Sequence, residues 1–300
     1  LPNSILLKGH MPRIDSIKGI LRLLGYSGYQ RLFDTNHVLS LVLAAILLYI
    51  ARFKRQDGPW QPGQVMLAAF VGTSLLHMQF AATGWFYRYE AYVVALGLFV
   101  VAPLLLGYLP PEPKEMTLDK VLVPKYAAIL VLAILFVVLP YADRGLRSLK
   151  RVPDAMNDRY YEHIWPAKFV AQYYNDATIA VNDIGAMCYY TDARILDLYG
   201  LANMEPVAFR KGENGYTSRD VSEWTASESA KIAILQVEWR EILRRIPDEW
   251  APVGEWQIPD NVVFGDTRIG FFAVDPDEEE ALAANLSAFA AQLPAAIRQR

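Results

Sequence analysis

The chain has 300 residues, of which 53% are hydrophobic and only 20% charged, with a net charge of −3. That balance leaves no overall basic footprint, so nucleic acid is not an expected partner. The single cysteine, Cys188, excludes an internal disulfide and a cysteine-based zinc site. Hydrophobicity is concentrated in the first half, which points to two regions. The first residue is Leu rather than Met and the opening stretch has no targeting character, so the sequence reads as a fragment lacking an N-terminal part.

Taken in chain order, "IDSIKGILRLLGYSGYQRLF" at 14–33 places Ile14, Ile17, Ile20, Leu21 and Leu24 on one helical face, with Lys18 and Arg22 off it. This predicts an amphipathic helix lying at an interface, ended by Gly25 and Gly28. Four apolar segments follow, at 38–53, 65–86, 91–109 and 121–141. A hydrocarbon core of ~30 Å needs about 20 helical residues. The expected fold is therefore an α-helical membrane bundle of about four transmembrane helices followed by an extracytoplasmic α/β domain. Lys and Arg near the span ends show no clean asymmetry, so charge does not set the orientation.

Within the second segment Thr73, Ser74, His77 and Gln79 are polar, and Thr73 and His77 share a face. That face is expected to look into the bundle or a wet cavity, with a helix–helix hydrogen bond as the other reading. Next comes "GWFYRYEAYVV" at 84–94, where Arg88 and Glu90 sit among Trp85, Phe86, Tyr87, Tyr89 and Tyr92. The aromatics read as a headgroup belt. The ion pair is either an anchor or an oriented guanidinium, and a guanidinium fork suits a phosphate.

From about Asp158 the pattern is α/β. A helix is expected over 160–175 with a kink at Pro166, then strands at 178–183, 194–200 and 231–239. A turn or short helix is expected at 184–190, a hairpin around Gly265–Asp266, and a closing helix over 275–293 whose acids sit in its first turn. Asn182 and Asp183 end one strand and Asp197 lies in the next, where open α/β sheets bind ligands. Asp183 is equally suited to cap a helix starting at Ile184. The resulting organisation is 1–36 as a loop with the interfacial helix, 37–141 as the four-span region, 142–157 as a linker and 158–300 as the α/β domain. No Walker loop, GxGxxG, HExxH, CxxC or GxSxG occurs, and the four histidines are scattered, so no His-rich metal site is expected.

Three stretches carry a resemblance. "LPNSILLKG" at 1–9, "GWFYRYEAY" at 84–92 and "VNDIGAMCYYTDARILDLYGLAN" at 181–203 resemble segments of bacterial GT-C superfamily glycosyltransferases of the mannosyltransferase and arabinofuranosyltransferase-like group. The resemblance implies a multi-pass enzyme of the bacterial cytoplasmic membrane with its C-terminal domain outside. Such an enzyme transfers a sugar from a polyprenyl-phosphate carrier to a cell-envelope glycan or protein acceptor. By that likeness Arg88, Glu90 and Tyr89, with Asn3, Lys8 and His77, would serve the carrier, and Asn182, Asp183 and Asp197 the acceptor side. Membrane lipid and the lipid-linked sugar donor would be the partners, and the question of a divalent metal stays open. The family's catalytic carboxylate belongs to a loop with no counterpart here, so no catalytic residue is assigned. The alternative from another class is a non-catalytic, membrane-anchored binding or scaffold protein. A transporter is a third reading, resting on His77 and its neighbours.

Overall fold

The structure is a computed structural model that describes residues 17, 36–53, 58–81, 84, 86–107, 128, 131, 133–212, 214–238, 244–259, 262 and 267–300. The expected interfacial helix, Asn3, Lys8 and the Gly265–Asp266 turn lie outside the described residues. The chain divides into two compact units, one within Lys8–Lys150 and the other over Arg151–Arg300.

In the first unit α1 (Asn36–Phe53), α2 (Pro62–Phe80) and α3 (Ala91–Leu106) pack on one another. They bury Leu41, Ala45, Phe70, Val93 and Val101 almost completely. Gly97 makes the close approach possible, because a Cβ there would lie 2.6 Å from the Phe70 ring and 2.7 Å from Leu41 Cδ1. α2 starts well: Pro62 supplies the fixed φ of a first turn, and Gln64 returns its side chain to the Gln61 N–H at 2.8 Å.

The expected membrane bundle is overturned here. Among the described residues no helix is long and apolar enough to cross a membrane. α3 has only 16 residues and contains Pro103, short of the ~20 that a bilayer core requires. α1 carries Asn36, His37 and Arg52 within its 18 residues. α2 carries Gln64, Thr73, Ser74, His77 and Gln79 within its 19. About half of the segment 121–141 lies outside the described residues, and its end is helical from Ile134 onward. The apolarity read from the sequence lies partly on outward faces, where Leu47, Ile50, Leu75, Leu76 and Phe99 are exposed. Composition alone does not distinguish such faces from a lipid-facing surface.

Residues 142–157, expected as a linker, are helical within α4 (Leu139–Arg159). Two π-helical turns flank that helix, Ile134–Val138 and Tyr160–Ile164. In each case a proline stands two residues after the end of the turn, Pro140 and Pro166. A helical proline has no N–H to offer the carbonyl four residues back and its ring clashes with that carbonyl. Widening the turn by one residue relieves the clash, and Trp165 N–H bonds to Tyr160 C=O instead.

The second unit is a three-layer α/β arrangement. After α5 (Trp165–Tyr173) come β1 (Thr178–Val181), α6 (Gly185–Tyr190), β2 (Arg194–Asp197), α7 (Glu205–Lys211) and α8 (Ser218–Ser227). β3 (Ile232–Gln236), β4 (Ala251–Gln257), β5 (Arg268–Ala273), α9 (Glu279–Phe289) and β6 (Arg298–Gln299) complete it. The six strands form one sheet in the order β2-β1-β3-β5-β4-β6. β2, β1 and β3 are mutually parallel, with Val181 opposite both Asp197 and Ile234, and the remaining pairs are antiparallel.

Both faces of the sheet are covered, which is why β3 reads as an unbroken apolar run rather than an alternating one. Ile179, Val181, Ile232, Ile234 and Phe271 pack with Phe169 of α5 and with Leu282, Leu286 and Phe289 of α9. Ala180, Leu196, Ala233 and Leu235 meet Val221 and Trp224 of α8 on the other face. β5 occupies the second arm of the expected hairpin and pairs antiparallel with β3 and β4, while most of the first arm lies outside the described residues.

Candidate functional site

β1 and β3 run side by side and in parallel, so their carboxyl ends open at the same edge of the sheet. From β1 the chain continues to β2 on one side, while β3 stands on the other. This divergence is a topological switch point, where α/β sheets form a ligand crevice. Just past the last paired residues, the Asn182 side chain takes over the work of the ladder. Its Oδ1 accepts the Gln236 N–H at 3.1 Å and its Nδ2 donates to Gln236 C=O at 3.4 Å. The amide thus imitates a further peptide and clamps the two strand ends together.

The π-helical turn Tyr160–Ile164 supplies the third wall. Its register brings Glu162 and His163 inward, both buried. Glu162 is only 3% exposed. Its Oε1 accepts from Gln236 Nε2 at 2.7 Å. Among the described residues its Oε2 is buried with no hydrogen-bond partner. Burial pushes the Glu162 carboxyl above its ordinary value of 4.5; neighbouring His163 and Arg159 pull it down and Asp183 adds to the rise. Desolvation leads because the charged form loses its water.

His163 is oriented by its neighbours. Arg159 can only donate, so the 2.8 Å contact between Arg159 Nη1 and His163 Nε2 makes that nitrogen an acceptor. The ring proton then belongs on Nδ1, 3.9 Å from Asp183 Oδ1. Glu162 Oε2 stands 3.4 Å from the same Nε2, a nitrogen whose lone pair Arg159 already occupies. Asp183 Oδ1 in turn accepts the Gly185 N–H at 3.2 Å. It thereby holds the start of α6, one residue later than the sequence predicts.

Glu162, His163, Asn182, Asp183 and Gln236, with Ala186 and Met187 of α6 among others, line a crevice of about 290 Å³ with its open mouth included. The enclosed space within it is roughly that of one water molecule. Chemically it offers one buried carboxyl oxygen with an unused hydrogen-bonding position, a second carboxyl near the mouth and an oriented imidazole. Among the described residues no group of His, Cys, Asp and Glu could hold a metal ion.

The other sequence-predicted residues lie elsewhere. Asp197, only 1% exposed, uses both oxygens on backbone: Oδ1 accepts from Tyr199 and Gly200, and Oδ2 from Ala202. It organises the loop after β2. In the first unit His77 Nδ1 meets Tyr92 Oη at 2.8 Å with the rings edge to face. This is a bond between α2 and α3. Arg88 is exposed, donating to Tyr89 Oη at 3.3 Å with its guanidinium 5.1 Å from the Tyr89 ring centre. Glu90 is fully buried and accepts the Gly84 N–H at 2.8 Å. Arg88 and Glu90 are therefore not brought together as an ion pair.

The loop between them and α2 is tightly wound, with Phe86 and Tyr87 both at positive φ (57° and 61°). Arg144 of α4 holds it, donating to Tyr87 C=O at 2.9 Å and lying 4.7 Å from the Tyr87 ring centre. Sequence reasoning missed Arg144, Glu162, His163 and Gln236. Glu162 had a readable signal, since it shares a helical face with Pro166, Phe169 and Tyr173, spaced i, i+4, i+7, i+11. A carboxylate in line with such a stripe is directed at the core.

A sequence family described as a domain of unknown function (DUF8728) matches residues 156–272. The matched stretch runs from the end of α4 into β5 and includes every residue named above as lining the crevice. No curated protein and no solved structure matches the chain.

Proposed function

We propose that the chain serves glycosyl transfer and that the crevice between β1 and β3 receives the hydroxyl-bearing acceptor. The observation that carries this reading is a coincidence of two independent features. The stretch bearing the most specific resemblance, residues 181–203, supplies Asn182, Asp183 and Met187 to the switch-point crevice. A crevice lined by carboxyl, carboxamide and imidazole groups matches the alternating donors and acceptors of a sugar. The donor in this reading is a sugar on a polyprenyl phosphate, and the acceptor a cell-envelope glycan or glycosylated protein.

The test uses the full chain. Wild type should bind hydroxyl-rich envelope glycans on an array, and Ala186→Phe, which fills the crevice mouth from α6, should lose them while keeping its fold. Absence of any glycan retention by wild type, or retention unaffected by Ala186→Phe, would overturn the proposal.

A further inference from the structure

Among the described residues Glu162 is the crevice-lining group whose buried side-chain oxygen has no hydrogen-bond partner, with His163 Nε2 3.4 Å from it. Burial of a polar oxygen without a partner costs roughly 1–3 kcal/mol, and an oxygen of a residue that lines a crevice can recover that cost from a ligand. Three chemical classes could approach it: an anion, an ammonium or a neutral hydroxyl.

The surroundings select among them. An anion would face two carboxyl groups, Glu162 and Asp183. An ammonium would enter beside the Arg159 guanidinium, which lies 2.8 Å from His163 Nε2, itself 3.4 Å from Glu162 Oε2. Like charges that close repel strongly where water is scarce. A hydroxyl carries no charge into the site. It donates to Oε2 when the carboxyl is ionised and accepts from it when the carboxyl is protonated. The enclosed space of the crevice has roughly the room of one water molecule, which suits a single hydroxyl.

We infer that Glu162 Oε2, on a residue lining the β1–β3 crevice and fixed by the Gln236–Asn182 clamp, is a binding position for one uncharged alcohol hydroxyl of a sugar ligand. The inference rests on the acceptor-binding reading and refines it. Gln236 fixes the experiment's logic. Because its Nε2 donates to the Oε1 position, a glutamine at 162 must put its amide oxygen there and its NH2 at the Oε2 position. Glu162→Gln therefore converts the open position from an acceptor to a pure donor without changing its shape.

Saturation-transfer NMR on the full chain, with methyl glucoside, glucosamine and glucuronate as probes, reads the outcome. Methyl glucoside should bind best. Glu162→Ala should weaken it at least about tenfold, equivalent to ~1.4 kcal/mol, with its fold confirmed by circular dichroism. Glu162→Gln should stay within about threefold of wild type, since a hydroxyl accepts as well as donates. Preference for glucosamine with loss on Glu162→Gln would assign the position to an ammonium and overturn the inference. So would a gain for glucuronate in Glu162→Gln that leaves methyl glucoside unbound. If Ala186→Phe abolishes methyl glucoside binding and Glu162→Ala does not, the hydroxyl position falls while the crevice reading stands. If neither substitution matters, both fall.

Discussion

Gln236 donates from Nε2 to Glu162 Oε1 across 2.7 Å, joining residues 74 positions apart in the sequence. The contact ties the end of a parallel strand to a π-helical turn that proline creates. The π-helical turn sets the register that points Glu162 inward, and Gln236 then fixes which of its oxygens is spent and which remains open.

The same burial predicts a pH-dependent stability. Glu162 has its carboxyl raised above 4.5 by desolvation, so between that value and its folded value the native state holds a proton that the unfolded chain has released. The native state binds more protons there, so stability falls as pH rises through the window. Its contribution is fully present below pH 4.5 and lost above the raised value. Urea denaturation of the full chain from pH 4.5 to neutrality should show that decline in wild type and a flatter profile in Glu162→Gln. Equal slopes in the two proteins would remove Glu162 as its cause.

Much of the second unit was legible in the sequence. Runs such as "IAIL" in β3 are buried on both faces, and strands of that kind announce themselves by composition. β4 was missed because Pro252 and Gly254 argue locally against a strand. The fold accommodates them with a register shift between those two residues, and β6 pairs only farther along, at Trp256 and Gln257. Proline is tolerated where a strand has a free edge or a bulge. The membrane expectation failed for a different reason: hydropathy counts apolar residues but not helix length or the polar ends that shorten the usable span. Arg144 and Gln236 were invisible because nothing local marks a residue whose partner is 57 or 74 positions away.

Phe169 is the keystone of the core on the α5 side. It is fully buried and meets Trp256, Phe271 and Phe289 edge to face at 5.5–6.1 Å. Phe169→Ala should cost about 3–5 kcal/mol, the range for emptying a large aromatic site. Chemical denaturation of the full chain monitored by tryptophan fluorescence measures it. A loss under ~1 kcal/mol would mean that the neighbouring rings collapse into the space.

In the first unit the contact between His77 and Tyr92 is a hydrogen bond from helix to helix. Tyr92 is about half exposed, so water competes for its hydroxyl and the bond is modest. Tyr92→Phe keeps the ring against His77 and removes only the oxygen, and should destabilise by about 0.5–1.5 kcal/mol. The imidazole resonances of His77 should shift in the NMR spectrum of that variant. Unchanged resonances would show that the two groups do not meet in solution.

The clamp at Asn182 sets the last expectation. Asn182→Ala removes the acceptor of Gln236 N–H and the donor to its C=O, at a site only 3% exposed. Leaving buried backbone groups unpaired costs roughly 1–3 kcal/mol, and the Gln236 side chain loses the anchor that steadies Glu162. Asn182→Asp separates the two effects. It keeps an acceptor for the N–H, yet at neutral pH it buries a charge facing Gln236 C=O near Glu162, so its carboxyl should be raised by desolvation and by like charge. Stability of that variant should then fall as pH rises through the raised value and recover on acidification, whereas the deficit of Asn182→Ala should follow the wild-type pH profile. If both variants match wild-type stability at every pH, the strand ends need no clamp, and Gln236 holds Glu162 by its own packing.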